Sequence, residues 1–316
     1  MKQENNEKRK RKMGERKGLK RVTALVLSIC MVFGGICFSP SQLVKAATLN
    51  NPRKDSNGNV TYDCVWFGSY PQSDATGVKK DPIKWRVLEV NGNDAFLVAD
   101  CNLDVQRYND TQTNVTWEIC TMRKWLNSEF MNRAFTSSEQ SAIKTTTVVN
   151  ADNQKYGTEG GNNTQDKVFL LSLDEVMNEN YGFSSDYSTY DNARKRKNTA
   201  YAAKGGTIDS DYVNGEGQSE VWWLRSPGKD SFSAVCVGVN GYGNVYWSGN
   251  YVDLSKYAVC PALHLNLASS NLYSYAGTVC SDGSVNENKP GETTTPEATT
   301  APVPTTTPQS INAFGG

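Results

Sequence analysis

Between residue 47 and about residue 285 the chain carries all seven of its tryptophans and all fifteen of its tyrosines. That confinement limits the fold more than any other feature. Roughly 230 residues are enough for one substantial hydrophobic core, so a single domain, 47–285, is expected between two dissimilar ends.

The first end runs from a basic stretch, Lys8 to Lys12 and then Arg16, Lys17, Lys20 and Arg21, into an apolar run from Val22 to Phe38. That is the order of the n-region and h-region of a secretory signal, and Val44-Lys45-Ala46 offers a cleavage site, so 1–46 is read as a signal peptide. Two other readings stay open. A lipoprotein would use Cys30 or Cys37, although each follows an isoleucine where a small residue is needed. An uncleaved anchor would use the apolar run itself, which is near the lower limit for spanning a bilayer. Cleavage would leave 22 basic and 30 acidic residues, a net charge of −8. The expected product is secreted or held at the cell surface, has no membrane insertion after cleavage, and has no electrostatic case for binding nucleic acid.

The other end, 286–316, is built of Thr, Pro and Glu and has almost nothing to bury. Such a segment cannot offset the entropy of ordering and is expected to stay extended, either as a plain tail or as a stalk through a cell wall. Six cysteines follow the signal: Cys64, Cys101, Cys120, Cys236, Cys260 and Cys280. They permit up to three disulfides, or else buried free thiols in a cell that lives without oxygen. No pair has C-x-x-C spacing and His264 is the sole histidine, so neither a metal centre nor a cofactor is expected.

Within the domain the first strand signals are Cys64 to Phe67, then Ile83 to Val90 and Ala95 to Ala99 joined through Asn91-Gly92-Asn93, a hairpin pattern. Met122, Trp125, Leu126, Phe130 and Ala134 recur at three- and four-residue spacing and predict an amphipathic helix. Two capping boxes, Thr136 to Glu139 and Ser172 to Glu175, predict two further helix starts. The stretch from Tyr181 to Gly217 reads as long loops, with Arg194-Lys195-Arg196-Lys197 as a solvated face. Strands return from Val221 onward and close with Ala262 to Leu267, where the leucines alternate with His264 and Asn266. The order predicts an α+β fold, with antiparallel strands at both ends of the domain and helices between.

Catalytic motifs are missing. One histidine on a late strand and no G-x-S-x-G give little basis for a nucleophile with its base, and no P-loop, Rossmann fingerprint, H-E-x-x-H or EF-hand loop occurs. A pair of carboxylates for glycoside hydrolysis stays open, since nothing singles out two of the thirty acids. No catalytic residue is therefore assigned. The most informative segment is Trp222-Trp223-Leu224-Arg225-Ser226-Pro227-Gly228. Adjacent tryptophans on a strand point to opposite faces, so one can enter the core while the other meets solvent, a loop or a ligand, and Trp223, Arg225, Ser226 and, from the next turn, Asn240 are the candidate ligand-binding residues. Arg225 is free to stack on Trp223 or to fork onto a carboxylate. The alternative is that it bonds loop carbonyls while both rings pack inside.

Six ordered blocks, Phe67 to Gln72, Pro82 to Leu88, Arg123 to Asn127, Asp166 to Ser172, Trp222 to Gly228 and Pro261 to Leu263, resemble a domain of unknown function widespread in exported proteins of Clostridia and related Gram-positive gut bacteria. The resemblance runs from about Cys64 to Leu267 and implies a compact α+β domain, C-type-lectin-like or similar to formylglycine-generating enzymes. Members of that group usually carry Arg before the Pro-Ala-Leu block, where this chain has Cys260. The resemblance thus suggests a compensating disulfide between Cys236 and Cys260. Neither the calcium-binding motifs of sugar-binding lectins nor the reactive cysteine pair of the enzymes is matched. The expectation is a secreted or cell-surface binding module for a glycan or a surface protein. Its rivals are a glycan-active hydrolase, a degenerate relative of the formylglycine-generating enzymes, and a purely structural surface protein.

Overall fold

The computed structural model describes residues 48–205, 221–238, 241–253 and 257–290. The predicted signal, most of the predicted tail and Asn240 lie outside them. The chain begins with β1 (Arg53–Lys54), β2 (Val60–Tyr70), β3 (Asp81–Asn91), β4 (Asp94–Ala99) and β5 (Asp104–Val105). The expected hairpin joins β3 to β4 through Gly92 and Asn93, with Gly92 at φ 58°, the positive angle that a tight hairpin turn requires. In β2 the register against β3 slips between Trp66 and Ser69. Gly68 sits in that bulge at φ 69°, and a Cβ there would lie 2.5 Å from the Phe135 ring. The bulge brings the β2 backbone against the helical layer.

That layer is one helical run, α1 (121–134), followed by α2 (Ser137–Ala142). Met122, Leu126, Phe130 and Ala134 are buried, as the spacing predicts. A strict four-residue spacing outruns the 3.6-residue turn of an α-helix. The wider π turn over Leu126–Phe130 takes up the difference and keeps the stripe on one face. Thr136 and Glu139 form the predicted capping box at the start of α2. Three short strands follow, β6 (Thr146–Val148), β7 (Thr164–Asp166) and β8 (Val168–Leu170), and later a short helix, α3 (Ala200–Gly205). The C-terminal part is β9 (Trp222–Pro227), β10 (Ser233–Val237), β11 (Val245–Tyr251), β12 (Ala258–Val259), β13 (Pro261–Asn266), β14 (Ser274–Cys280) and β15 (Val285–Glu287).

The strands form three sheets. The largest runs β15-β14-β2-β3-β4-β13-β8, with β1 added beside β2, so early and late strands interleave in one layer. The second runs β11-β10-β9-β12-β5, in which β12 lies parallel to β9; β6 and β7 form a separate pair. Trp85, Trp117, Trp222 and Trp223 are fully buried in the core. Each removes far more apolar surface from water than an aliphatic side chain does.

This architecture corrects the predicted fold class. Among the described residues strands far outnumber helices, and the longest helical run has 14 residues, so the protein is mostly β with several antiparallel sheets rather than an α+β, C-type-lectin-like domain. The helix signals in the middle were real but local. The Ser172–Glu175 box closes reciprocally, Ser172 N donating to Glu175 at 2.8 Å and Glu175 N to Ser172 Oγ at 3.1 Å, yet it opens only the 3-10 turn Glu175–Met177. A cap satisfies the first amides of a turn, and only a packed apolar stripe extends that turn into a helix.

The suggested disulfide is also corrected. Cys236 and Cys260 are both free and buried. Cys236 pairs with Trp223 of β9 while β12, the strand leading into Cys260, lies on the other side of β9. Two strand spacings, about 9.6 Å, then separate their backbones, beyond the reach of a disulfide. The Cys260 Sγ instead donates to the Ala99 carbonyl at 3.4 Å.

Candidate functional site

The residues singled out in the β9 segment turn inward. β9 is flanked by β10 and β12 and is covered on both faces, so the alternation of its side chains places neither indole at the surface. Trp223 packs against Tyr257 at 4.7 Å and Tyr108 at 5.9 Å between ring centroids, and its Nε1 donates to the Gln106 carbonyl at 3.1 Å. Arg225 forks onto Glu175, with Nη1 to Oε2 at 2.6 Å and Nη2 to Oε1 at 2.8 Å, and also donates to the carbonyls of Leu170 and Val149. Ser226 accepts from Leu173 N at 2.9 Å. Glu175 thus serves the capping box and the buried guanidinium together. The segment is a clamp between β9 and the chain after β8, and Trp223, Arg225 and Ser226 are not brought to a ligand surface.

Exposed aromatics gather elsewhere, on three loops. Tyr190, 70% exposed, stacks on Tyr242 at 4.3 Å with an interplanar angle of 28°. Tyr187 lies edge-on to Trp247 at 5.4 Å, and Lys155 sits 5.4 Å from the rings of both Tyr156 and Tyr187. Together these side chains make a platform of tyrosines beside a half-buried tryptophan.

The polar sequence around these rings supplies the hydrogen bonds that tie the loops together. Asp186 accepts from Ser188 N and Oγ and from Thr189 Oγ1, closing the turn that carries Tyr187 and Tyr190. Asp191 accepts from Ala193 N and Ser184 N, both at 2.8 Å. Tyr187 O accepts from Val245 N and Tyr242 O from Asp191 N, so the first loop is docked along the second. Gly243, at φ 72°, permits that approach, since a Cβ there would fall 2.2 Å from the Asp191 carbonyl oxygen. Asn153 anchors the third loop by donating to the carbonyls of Pro227, Gly228 and Trp247.

The basic run departs from its predicted solvated face. Beyond the 3-10 turn Asn192–Arg194 the backbone is extended, and side chains alternate: Arg194 and Arg196 are fully buried while Lys195 and Lys197 point outward. Arg194 pairs with Asp191 at 3.3 Å and donates to the carbonyls of Val176, Ser184, Asp186 and Gly243. It is the buried staple beneath the platform. Arg196 donates to the carbonyls of Ala193 and Lys195 and lies over the Trp222 ring.

Next to the platform lies a cleft of about 450 Å3 whose lining includes Arg86, Asp100, Cys101, Lys195, Lys197 and Asp282. Lys195 belongs to both features, since its ammonium is 5.9 Å from the Tyr242 ring. Arg86 Nε donates to Asp100 at 2.6 Å. Burial pushes the Asp100 carboxyl up, but the Arg86 charge and hydrogen bond, with Arg196 behind, more than offset it and hold it below the usual carboxylate range. Asp282 is also held low, by hydrogen bonds from Ser284. The Cys101 thiol is pushed up to about 11 by burial and is a poor nucleophile.

Among the described residues no group of three or more His, Cys, Asp or Glu side chains could hold a metal ion, and no helix is long and apolar enough to cross a membrane. The sequence did signal the loops that bear the platform, through their Tyr-, Asn- and Asp-rich composition. It did not show which tyrosines meet, because Tyr190 and Tyr242 are joined only by tertiary docking.

These features define a mostly β domain that carries an exposed aromatic platform beside a charged cleft. The profile of a domain of unknown function, DUF6273, matches residues 92–267, and the chain belongs to that family. The match begins in the β3–β4 turn and ends just after β13, so it takes in the platform. The cleft straddles its limit, since Asp100, Lys195 and Lys197 fall within the matched residues while Arg86 and Asp282 fall outside. No curated protein and no solved structure matches the chain.

Proposed function

We propose that the protein is a secreted or cell-surface module that binds a glycan on the Tyr187, Tyr190 and Tyr242 platform. The observation that carries this reading is the stacked Tyr190–Tyr242 pair, an exposed ring on a half-buried one, held by a buried guanidinium and docked loop backbones. Contiguous exposed aromatic surface is costly to leave in water, and where it persists on an ordered scaffold it marks a binding face. Tyrosine faces are electron-rich and flat, and they suit the positively polarised C–H bonds on one face of a sugar ring. Because the rings are already ordered, little rotamer entropy remains to be lost on binding. The basic and then apolar N-terminus supports placement outside the membrane.

Hydrolysis of a glycan is less well supported. Cleavage requires a carboxyl kept protonated opposite a second, ionised one. Both carboxyls named in the cleft, Asp100 and Asp282, are held low instead. Asp104 is the carboxyl that burial pushes up, and it lies inside, bonded to the Tyr70 hydroxyl at 2.5 Å.

A glycan array probed with the purified protein tests the proposal. Binding is expected, together with a loss of about tenfold in affinity for Tyr190→Ala, the scale of one aromatic contact, and an unchanged melting temperature. Binding that survives both Tyr190→Ala and Tyr242→Ala, or no binding to any glycan, would overturn it.

A further inference from the structure

The cleft beside the platform holds a cation whose hydrogen-bonding capacity the protein uses only in part. The Arg86 side chain is about nine-tenths buried, with Nε on Asp100 and Nη1 on the Ala193 carbonyl at 3.4 Å. Among the described residues Nη2 has no acceptor, and it is not among the polar atoms sealed from solvent without a partner. Nη2 is therefore reached by solvent, and Arg86 lines the cleft. The guanidinium is fixed from behind by the Tyr62 ring, 5.5 Å away, and from the side by Asp100. Lys195 and Lys197 stand at the same cleft and make no ion pair among the described residues. Facing them are two carboxylates. Asp100 is bonded to Arg86, while Asp282 is turned onto Ser284 and keeps its negative charge at the cleft.

We propose that this cleft takes an acidic substituent of the glycan, a carboxylate, sulfate or phosphate bonded by Arg86 Nη2 and flanked by Lys195 and Lys197, while the platform stacks on the neighbouring ring. This rests on the platform reading for the remainder of the chain it would bind. A preorganised, mostly desolvated guanidinium with free N–H groups is suited to oxyanions. The Asp282 charge disfavours a second anion close by, so the ligand class is a saccharide with isolated acidic groups rather than a uniform polyanion. Lys195, shared by both features, sets the two contacts side by side.

The test is an array of neutral glycans printed with their uronate-, sialate- and sulfate-bearing counterparts, together with a glycerol-phosphate wall polymer, which separates the sources of the acid. At least one acidic form is expected to bind about tenfold or more tightly than its neutral counterpart, the scale of one charged hydrogen bond. Arg86→Gln should remove that preference and leave neutral binding in place. Should Arg86→Gln fail to fold, the double variant Lys195→Gln/Lys197→Gln, at one half-buried and one exposed position, decides, with a partial loss of the preference expected and no change in melting temperature. Equal binding of acidic and neutral forms, or a preference that survives these substitutions, would overturn the proposal. If neutral glycans bind through Tyr190 without any acid preference, the platform reading stands alone. If acidic forms bind and Tyr190→Ala has no effect, the cleft stands and the platform falls. If nothing binds, both fall.

Discussion

Two aromatic regions of this protein begin from similar chemistry and end in opposite surroundings. Trp222 and Trp223 sit on a central strand whose two faces are both covered, and each indole N–H finds a backbone carbonyl inside. Tyr190 and Tyr242 sit on loops at the rim, where Tyr190 is exposed and Tyr242 half-buried beneath it, and where buried polar groups, Arg194 and Asp191, replace apolar packing as support. The difference shows that an aromatic doublet on a strand is a statement about layers. If both faces of the strand are covered, the doublet is core. Ligand-facing aromatics are found where the backbone is ordered by side-chain hydrogen bonds and no second layer follows.

The strongest way to break this contrast is Trp223→Ala. Its ring is fully buried, so loss of about 3–5 kcal/mol of stability is expected, read as a lower denaturant midpoint. A variant of unchanged stability that lost glycan binding would return Trp223 to the ligand surface. Next in size is Glu175→Ala, which strands the Arg225 guanidinium, a group only 3% exposed. Removing one partner of a buried pair costs about 3–5 kcal/mol, and the lower end applies because Glu175 is 22% exposed. Urea melts of the two single variants and the double variant with Arg225→Met would measure it, and a double variant more stable than Glu175→Ala would show the stranded charge to be the cause.

Much of the scaffold was legible because it depends on neighbours in sequence. The Gly92 hairpin, the stripe from Met122 to Ala134 and the Thr136–Glu139 box are all local patterns, and all appear. What failed depended on the third dimension. The Arg194 to Lys197 run reads as a charged face, yet two of its four cations are held inside, by carbonyls from as far away as Gly243 and by the Asp191 carboxylate. The number of layers over β9 was equally invisible, and with it the fate of Trp223. Capping signals mark where a turn begins, while packing decides how far it continues, so helix starts in the sequence do not make an α+β fold. The cleft had no signature at all, as it joins Arg86 of β3 to Asp282 beyond β14.

A smaller effect sharpens the comparison at its rim. Gly243→Ala leaves every tyrosine in place but forces a side chain into the left-handed region against the Asp191 carbonyl. The conformational cost alone is about 1–2 kcal/mol. If the platform works because its loops are docked, glycan affinity should fall in Gly243→Ala as far as in Tyr190→Ala. Proteolysis within 184–191 should quicken while the global melting temperature changes little. Unaltered affinity would mean that the rings act singly and that docking of the two loops is incidental.

The carboxyls of the two regions carry the contrast into pH. Asp104, on β5 in the sheet that holds Trp223, is raised by burial despite the hydrogen bond from Tyr70. Folding therefore favours its protonated form, and the stability it contributes is present below the unfolded carboxyl value near 4 and is lost as pH rises through the higher folded value. Asp100, at the cleft, has the opposite sign. Arg86 holds it low against burial, so its contribution is present above the unfolded value and is lost as pH falls through the folded one. Unfolding free energies measured from pH 3 to 7 should therefore lose their low-pH decline in part in Asp100→Asn. In Asp104→Asn they should lose in part a decline that runs the other way, toward neutral pH. Two variants that flatten the profile on the same side would show that the cleft and the core sheet treat their carboxyls alike, against the division drawn between the two regions.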